Sequence, residues 1–428
     1  MWDYTLSVEI PVKPHDLSWG VVTSSKPPRS GAEKRPFRPF KTMLCHVETG
    51  AESPSFCSSS IEEDNANSLE RAWILERDAA CLTRGIACES TWEEVVSRAQ
   101  GLVREAALWP VSIRCVLSDN PADSPRVAAL QCAARALDGA SLRAGLGGGD
   151  AREAGLWAAT AFALGGNFPS VSVVLKRTFP RLKARPAPGS SRAWPQGIAA
   201  LVAALFPALA PVLAAHSPFA ARLTNQRLNA QDDKLFSLLE TEISESWPQF
   251  FELARASFES ACALSTLAAL DQNGGALGGH KWSERLAERM PLLLPPQKVA
   301  LSRGFLSEES SALAALPPGT GKTWLGELFL LERLAHAELN ATQEQGAPLA
   351  VFLVPYVALG RGVVAALRAH ARDLNIEVRA WLGGESDDAE LPETPAIIVA
   401  TPERFDGAWR YAPKLSERVC GVVVDEAL

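Results

Sequence analysis

Residues 316–329 read LPPGTGKTWLGELF, in which a turn-forming run with Gly319 and Gly321 passes directly into a helical pattern. Gly319 and Gly321 have no Cβ, so they permit a positive φ and let backbone N–H groups approach phosphate oxygens. The positive end of the following helix adds to the attraction for a polyphosphate. In such a loop Lys322 reaches the β- and γ-phosphates, and the Thr323 hydroxyl ligates Mg²⁺. The candidate nucleotide contacts of this loop are therefore Pro318, Gly319, Thr320, Gly321, Lys322 and Thr323.

Three continuous apolar runs follow the loop. They read LAVFLVP at 349–355, AIIVATP at 396–402 and VCGVVVDEA at 419–427. Continuous apolar runs of this length are typical of strands that are buried on both faces of a parallel sheet. Between the first two runs the pattern predicts a helix over 357–374 and a short strand over 377–382. The last third of the chain is therefore predicted to be an α/β unit with a parallel sheet and flanking helices.

The third apolar run delivers two carboxylates at its end, Asp425 and Glu426. Beside a bound nucleotide, Asp425 would hold Mg²⁺ through water, and Glu426 would orient and deprotonate the attacking water. An Asp-Glu pair after a strand is common by itself. Its place roughly a hundred residues after a phosphate loop, with strands between, makes the two motifs support each other. Lys322, Asp425 and Glu426 are the candidate catalytic residues, and Thr323 and Asp425 are the candidate Mg²⁺ ligands.

The segment from about 292 to 428 resembles the first RecA-like domain of superfamily 2 helicases, and within them the Ski2-like DExH branch. The run that ends at Thr323 stands where this family has motif I, although Leu316 replaces the first glycine of the general pattern. Upstream, Gln297 lies about where the family places a glutamine that reads the adenine edge. Three further stretches resemble motifs Ia, Ib and II: Val354–Leu359 with Arg361, Ala400–Asp406, and Val424–Ala427.

This resemblance implies an ATP-dependent helicase or translocase that binds Mg-ATP through motifs I and II. It also implies that motifs Ia and Ib bind the sugar–phosphate backbone of one strand of DNA or RNA. Both segments follow predicted parallel strands, at the end where open α/β sheets place ligand-binding loops. Backbone amides, a threonine and arginines can hold phosphates there without reading sequence. The candidate nucleic-acid contacts are Pro355, Arg361, Thr401, Pro402, Glu403 and Arg404.

The end of the sequence departs from the family pattern. Leu428 follows Asp-Glu-Ala, where the family usually has His or Asp. Motif III and the second RecA-like domain, with its arginine finger, are not within these 428 residues. Loss of such an arginine can lower the rate by about 10³–10⁵. We therefore expect a fragment or a truncated product of a helicase, with little activity by itself.

The region before the α/β unit has a different composition. Residues 1–66 are rich in Pro, Ser and charge, which predicts an irregular or partly disordered lead-in. Residues 67–290 carry apolar side chains at three- and four-residue intervals, which predicts an all-α scaffold or a platform for a protein partner. Within it, QNGGALGGHK at 272–281 predicts a linker or an exposed loop. The predicted fold class is α + α/β, with the domains 1–66, 67–290 and 291–428, the last an incomplete RecA-like ATP-binding domain.

The composition of the chain narrows the possible classes of protein further. The net charge of −7 argues against a uniformly basic surface for nucleic acid but allows a local basic groove. Eight cysteines without a C-x-x-C pair, and six histidines, show no zinc-ligand spacing and predict reduced thiols in a cytoplasmic protein. The apolar run over 198–215 is interrupted by Pro207 and Pro211, which predicts a buried, broken helix or helix pair and no membrane span.

Other functions remain open at the level of sequence. The chain could bind nucleotide and nucleic acid as a scaffold without turnover, or be an inactive remnant. It could also be a P-loop ATPase that remodels protein. Steady-state ATP turnover with and without a single strand, and the salt dependence of single-strand binding, separate these functions.

Overall fold

The computed structural model describes residues 58–86, 88, 90–115, 124–143, 148–179, 195–224, 228, 231–244, 247–307, 312–314, 316, 320–340, 346–372, 374–383 and 391–425. Residues 1–57 of the predicted lead-in lie outside these ranges, and so do Pro317–Gly319 and Glu426–Leu428. Contacts divide the described residues into two compact units. A helical unit takes in 58–269 and 290–299, and an α/β unit takes in 270–289 and 300–425. The predicted domain boundaries at 66/67 and 290/291 stay predictions.

Helices make up the described chain as far as residue 302. They are α1 (Ser58–Arg84), α2 (Trp92–Ala107), α3 (Val111–Arg114), α4 (Ser124–Ser141), α5 (Gly148–Leu164), α6 (Phe168–Thr178), α7 (Gln196–Leu205), α8 (Ala210–Leu213), α9 (Pro218–Thr224), α10 (Asp233–Ser244), α11 (Phe251–Ala263), α12 (Thr266–Asn273), α13 (Gly275–Gly278), α14 (Lys281–Arg289) and α15 (Pro295–Ser302).

The core of the helical unit combines small and large side chains. Ala158, Ala159 and Ala163 on α5 are completely buried, and side chains of this size let neighbouring helices pack closely. The space between helices is filled by large aromatic side chains that are also inaccessible, such as Phe219 and Phe258, whose rings meet edge to face at 6.1 Å. The prediction of an all-helical region before the sheet is confirmed.

The apolar run over 198–215 forms a broken, buried helix, as predicted. α7 ends at Leu205, and Pro207 begins a short 3₁₀ turn that leads into α8. Proline interrupts the helix because it lacks the N–H that the helical pattern requires. Within the described ranges, no helix combines the length and the apolar character that a membrane crossing demands.

The α/β unit holds a four-stranded parallel sheet with the order β2-β3-β1-β4. In chain order its elements are α16 (Lys322–Leu339), β1 (Leu349–Leu353), α17 (Val357–Ala371), β2 (Glu377–Trp381), β3 (Ala396–Ala400), α18 (Pro402–Tyr411), α19 (Pro413–Arg418) and β4 (Val419–Val424). The α/β prediction is confirmed, with strands that end one to three residues earlier than predicted. The reason is visible at β3, where Pro402 occupies the first turn of α18 and has no N–H to donate to a strand partner.

Helices cover both faces of the sheet. Phe352 of β1 faces α16. Its ring is so near to Gly326 of that helix that a Cβ added there would lie 3.2 Å from it. α17 lies over β2 and β3 on the same face, where its His370 contacts Glu327 of α16. On the opposite face, Leu349, Ile398 and Ala400 pack with side chains of α18 and α19. The fold is therefore an open parallel sheet with flanking helices, consistent with an incomplete RecA-like domain.

The prediction of a linker or exposed loop over 272–281 is wrong. α12 continues to Asn273, α13 follows at once, and Leu277 is completely buried. The carboxylate of Glu332 on α16 accepts hydrogen bonds from the N–H groups of Ala276 and Leu277, both at 2.8 Å. A distant carboxylate thus satisfies the backbone of a glycine-rich segment that local sequence rules assign to a loop.

Candidate functional site

The start of α16 has the backbone geometry expected of a phosphate-binding turn. Gly321 caps the helix with φ 74° and ψ 40°, in the left-handed region that favours glycine. Its carbonyl accepts hydrogen bonds from the N–H groups of Trp324 and Leu325, so the helix begins at Lys322. The first N–H groups of a helix point outward along its axis and attract anions. Lys322 is exposed and Thr323 is half-buried at this end, where both can meet a ligand.

α16 runs antiparallel to β4, which brings its first turn to the end of the strand that carries Asp425. A Cβ on Gly326 would lie 3.0 Å from Val423, near the end of β4. One turn further along the helix, Phe329 lies against Gly421, nearer the beginning of the strand. Moving back along α16 from Gly326 to Lys322 therefore moves toward Asp425. The glycine makes the close approach of helix and strand possible.

The ends of three strands are adjacent in register. Leu353 of β1 pairs with Ala400 of β3 on one side and with Val424 of β4 on the other. The ladder continues by one residue on each side, since Val354 donates to the Ala400 carbonyl and Asp425 donates to the Leu353 carbonyl, both at 2.9 Å. The segments predicted as motifs Ia, Ib and II therefore leave the sheet side by side. Asp425 is half-buried at this edge, and Glu426 lies outside the described residues.

Helices leave this edge on opposite faces of the sheet. β1 leads into α17, which lies on the same face of the sheet as α16. β3 leads into α18, which lies on the opposite face. β1 and β3 are neighbours, so the position between their two loops is a topological switch point of the sheet. In open α/β sheets, ligands bind in the crevice at such a switch point, beyond the carboxyl ends of the strands.

The candidate nucleic-acid residues differ in their exposure. Pro355 is half-buried, and Arg361 on α17 is exposed. Thr401 is 7% exposed and caps α18 with its backbone, since its carbonyl accepts from the Phe405 N–H. Pro402, Glu403 and Arg404 are exposed on the first turn of α18.

The Arg404 guanidinium lies over Gly383, the second residue after β2, so that a Cβ at Gly383 would be 3.4 Å from it. Gly383 has φ 94°, a conformation that a residue with a side chain rarely adopts. Arg404 is therefore placed beside the end of β2, at the same edge of the sheet as Thr401.

Gln297 has a local structural role. Its side chain is completely buried, and its Oε1 accepts a hydrogen bond from the Leu294 N–H at 2.8 Å. Leu294 directly precedes α15 and Gln297 is the third residue of that helix, so the contact has the geometry of the returning half of a capping box. The role of Gln297 toward adenine stays a prediction.

Sequence reasoning passed over one pair of charged residues in this unit. Glu327 on α16 is 5% exposed at its side chain, and both of its oxygens lie within 2.9 Å of Nδ1 of His370 on α17. Burial raises the pKa of Glu327, and the contact with Glu327 raises the pKa of His370. The signal available in the sequence was an acidic residue inside the apolar run LGELFLL at 325–331.

Comparisons with known proteins agree with this geometry. Residues 295–427 match the family described as DEAD/DEAH box helicase. ATP-dependent DNA helicase Hel308 of Methanocaldococcus jannaschii is 31% identical over 134 residues, which are 31% of this chain and 11% of that protein. Hel308 of Pyrococcus horikoshii is 34% identical over 134 residues, 31% of this chain and 17% of that protein. Hachiman protein HamB of Bacillus cereus is 26% identical over 126 residues, 29% of this chain and 10% of that protein.

The chain thus spans less than a fifth of the length of each of these relatives. The match covers the whole described part of the parallel sheet, from the helix that precedes the phosphate loop to the carboxylates after β4. The resemblance to superfamily 2 helicases that the motifs indicated is confirmed over this segment. Residues 295–427 therefore match the DEAD/DEAH box helicase family and are similar to the corresponding part of the Hel308 helicases.

Proposed function

We propose that the α/β unit binds Mg-ATP and one strand of a nucleic acid, as the N-terminal part of an ATP-dependent helicase or translocase. The observation that carries this proposal is the convergence of the first turn of α16 with the ends of β1, β3 and β4 at one edge of one sheet. That edge is where parallel α/β sheets bind ligands.

The residues at this edge fit a magnesium nucleotide. The left-handed turn at Gly321 and the first amides of α16 suit an anionic phosphate chain, and Lys322 adds a positive charge. Thr323 and Asp425 offer the hard oxygen ligands that Mg²⁺ prefers. ATP supplies the phosphoryl-transfer chemistry, and Glu426 is proposed to orient and deprotonate the water. Gln297 is proposed as the contact to adenine.

A nucleic-acid strand is proposed to lie across the crevice between the loops after β1 and β3. Pro355 and Arg361 would contact it from the α17 side, and Thr401, Pro402, Glu403 and Arg404 from the α18 side. Thr401 is buried, so its contribution would be to hold the first turn of α18 in place with its backbone carbonyl. Arg361 and Arg404 would hold phosphates without reading the bases.

The nucleotide part of the proposal is tested with a fluorescent ATP analogue and Mg²⁺. We expect saturable binding by the intact chain and at least about a tenfold loss of affinity in Lys322→Ala, because the lysine charge faces the phosphates. Lys414→Ala, an exposed lysine on α19, is the matched control and should bind as the parent does. Equal affinities of parent and Lys322→Ala would reject the site.

Steady-state ATP turnover with and without oligodeoxythymidylate then separates the two functional classes. Turnover that rises with the oligonucleotide supports a motor enzyme, whereas binding of both ligands without turnover supports a scaffold. The scattered thiols favour a cytoplasmic setting. The helical unit is proposed to serve as a platform for a protein partner.

A further inference from the structure

Helices α16 and α17 are in contact, and the role inferred for this contact rests on the proposed function. These two helices begin at the two proposed ligand loops, since α16 follows Gly321 and α17 follows Tyr356. They lie side by side on one face of the sheet and meet where both Glu327 oxygens contact His370 Nδ1, at 2.8 and 2.9 Å. Glu327 lies five residues after Lys322, about 7.5 Å along the helix axis.

The burial of the pair makes it energetically costly to break the contact. Glu327 is almost completely buried, whereas the His370 side chain is 31% exposed. A buried carboxylate that loses its partner has no water to replace it, so the helices cannot separate here without leaving a charge unpaired or taking up a proton. The contact therefore resists independent movement of α16 and α17.

Among the residues that the structure describes, a third charged group acts on the pair, and it comes from α14. Arg289, at the end of α14, donates to the carbonyl of Ala369 on α17 and acts on both members of the pair. The sheet beneath contributes apolar side chains on this face, among them Phe352 and Val399. The charge state of the contact is thus set mainly by Glu327, His370 and Arg289.

We propose that Glu327 and His370 are a positioning pair that couples nucleotide binding at the start of α16 to single-strand binding at the start of α17. The coupling weakens when His370 loses its proton, because the carboxylate then faces a neutral ring. Neither residue touches a ligand, and both act through the helices that carry them.

The direction in which the coupling changes with pH follows from the direction of the pKa shifts of His370 and Glu327. The contact with Glu327 raises the pKa of His370 above the ordinary value of 6.5, and burial raises the pKa of Glu327. A raised pKa in the folded state means that the stabilisation is fully present below the ordinary histidine value. It is lost as the pH rises through the pKa of His370 in the folded protein.

The experiment measures the affinity of the intact chain for a fluorescent, non-hydrolysable ATP analogue with Mg²⁺, with and without oligodeoxythymidylate. The ratio of the two dissociation constants is the coupling factor, and coupling between sites is commonly about 5–150-fold. We expect a factor of at least about 5 near pH 6 and a clear decrease near pH 8.5. His370→Asn keeps a neutral donor near the position of Nδ1 and should give a small factor at both pH values.

Glu338→Gln is the matched control. Glu338 is also on α16 and also contacts a histidine, His280 at 3.3 Å, but that contact leads to the segment before α14 and not to α17. This variant should keep the parent factor and its pH dependence. Glu327→Gln should behave like His370→Asn.

Three results would overturn the inference. In the first, both ligands bind, but His370→Asn and Glu327→Gln keep the parent factor and its pH dependence. In the second, the parent binds both ligands with a factor that does not change with pH, a result that needs no variant to fold. In the third, the parent binds neither ligand, which rejects the proposed function as well. The first two leave the proposed function intact.

Discussion

At the start of α16, a single glycine determines how the backbone enters the helix. Gly321 has φ 74°, and the residues that follow it form the first turn with the exposed Lys322. The left-handed region costs an L-residue with a side chain roughly 1–2 kcal/mol. The loop therefore depends on glycine for its conformation before any ligand binds.

Gly321→Ala should lower the free energy of unfolding by about 1–2 kcal/mol, because alanine is strained at this φ. It should also weaken binding of the ATP analogue, since the first amides of α16 would no longer be aligned. Urea denaturation followed by circular dichroism measures the stability. Gly362→Ala is the control: Gly362 lies on α17 with no atom within 4 Å of an added Cβ, so alanine should be neutral or stabilise by up to about 1 kcal/mol. Equal effects of the two changes would contradict this account.

Gln297 illustrates how one residue can have a structural and a ligand-binding explanation. Its buried Oε1 accepts from the N–H of the half-buried Leu294 at 2.8 Å, so Gln297→Ala removes this acceptor from the donor. We expect the free energy of unfolding to fall by about 1–3 kcal/mol in the absence of nucleotide. Gln196→Ala, at an exposed position on α7, should change it by less than about 0.5 kcal/mol.

The same variant tests the proposed adenine contact. If Gln297 reads adenine, the preference for ATP over GTP should shrink in Gln297→Ala beyond what its lower stability explains. An unchanged preference would leave Gln297 with the capping role alone.

At the scale of elements, α16 contacts several parts of the α/β unit. Gly326 brings it against β1 and β4, Glu327 contacts α17, and Glu332 caps α13. Glycine in mid-helix lowers helix propensity, but here it permits an approach that a Cβ would crowd at 3.0 Å from Val423. Packing against neighbouring elements therefore determines the residues of α16 more than helix propensity does.

Glu332→Gln should lower the free energy of unfolding by about 1–3 kcal/mol, because one acceptor oxygen is replaced by an amide donor and an N–H of α13 loses its partner. Faster amide hydrogen exchange at Ala276 and Leu277 would locate the effect in α13. Glu338→Gln on the same helix removes only a half-exposed contact and should cost about 0–1 kcal/mol. Unchanged exchange at Ala276 and Leu277 would argue against the cap.

For the whole molecule, the net charge of −7 sets a condition on nucleic-acid binding. General electrostatic attraction to a phosphate backbone is weak for an acidic chain, so binding must depend on a local surface. Arg361 and Arg404 are exposed near the loops after β1 and β3, where such a surface would lie. The slope of log affinity against log salt should then be proportional to the small number of phosphates contacted.

Arg361→Ala and Arg404→Ala should each reduce the slope of log affinity against log salt by about 0.7 for a single-stranded oligonucleotide, since each removes one phosphate contact. Fluorescence anisotropy with labelled oligodeoxythymidylate over a range of salt concentrations gives the slope. Lys234→Ala, exposed on α10 of the helical unit, should leave the slope unchanged if the crevice is the binding surface. A larger effect at Lys234 would place the binding surface on the helical unit.

Local features of the sequence were sufficient to predict three of the strands, the start of one helix and the break in another. Continuous apolar runs predicted β1, β3 and β4, since strands buried on both faces have no polar side to alternate with. β1 and β3 are buried in this way, whereas β4 lies at the edge of the described sheet with Val422 and Val424 exposed, so the prediction of burial on both faces is wrong for β4. The glycines and the lysine before an amphipathic run predicted the turn at Gly321 and the start of α16. Pro207 predicted the break after α7, because proline has no N–H to donate.

Only the tertiary structure decided which of these elements meet. The order β2-β3-β1-β4 places Leu353 between Ala400 and Val424, and no local period encodes such a register. The segment over 272–281 has the composition of a loop, yet a carboxylate from α16 satisfies its amides. The burial of Glu327 against His370 likewise depends on partners 43 positions apart in the chain. Local periodicity reports which side of an element is apolar, whereas register, capping at a distance and buried ion pairs arise from contacts that form only when the chain has folded.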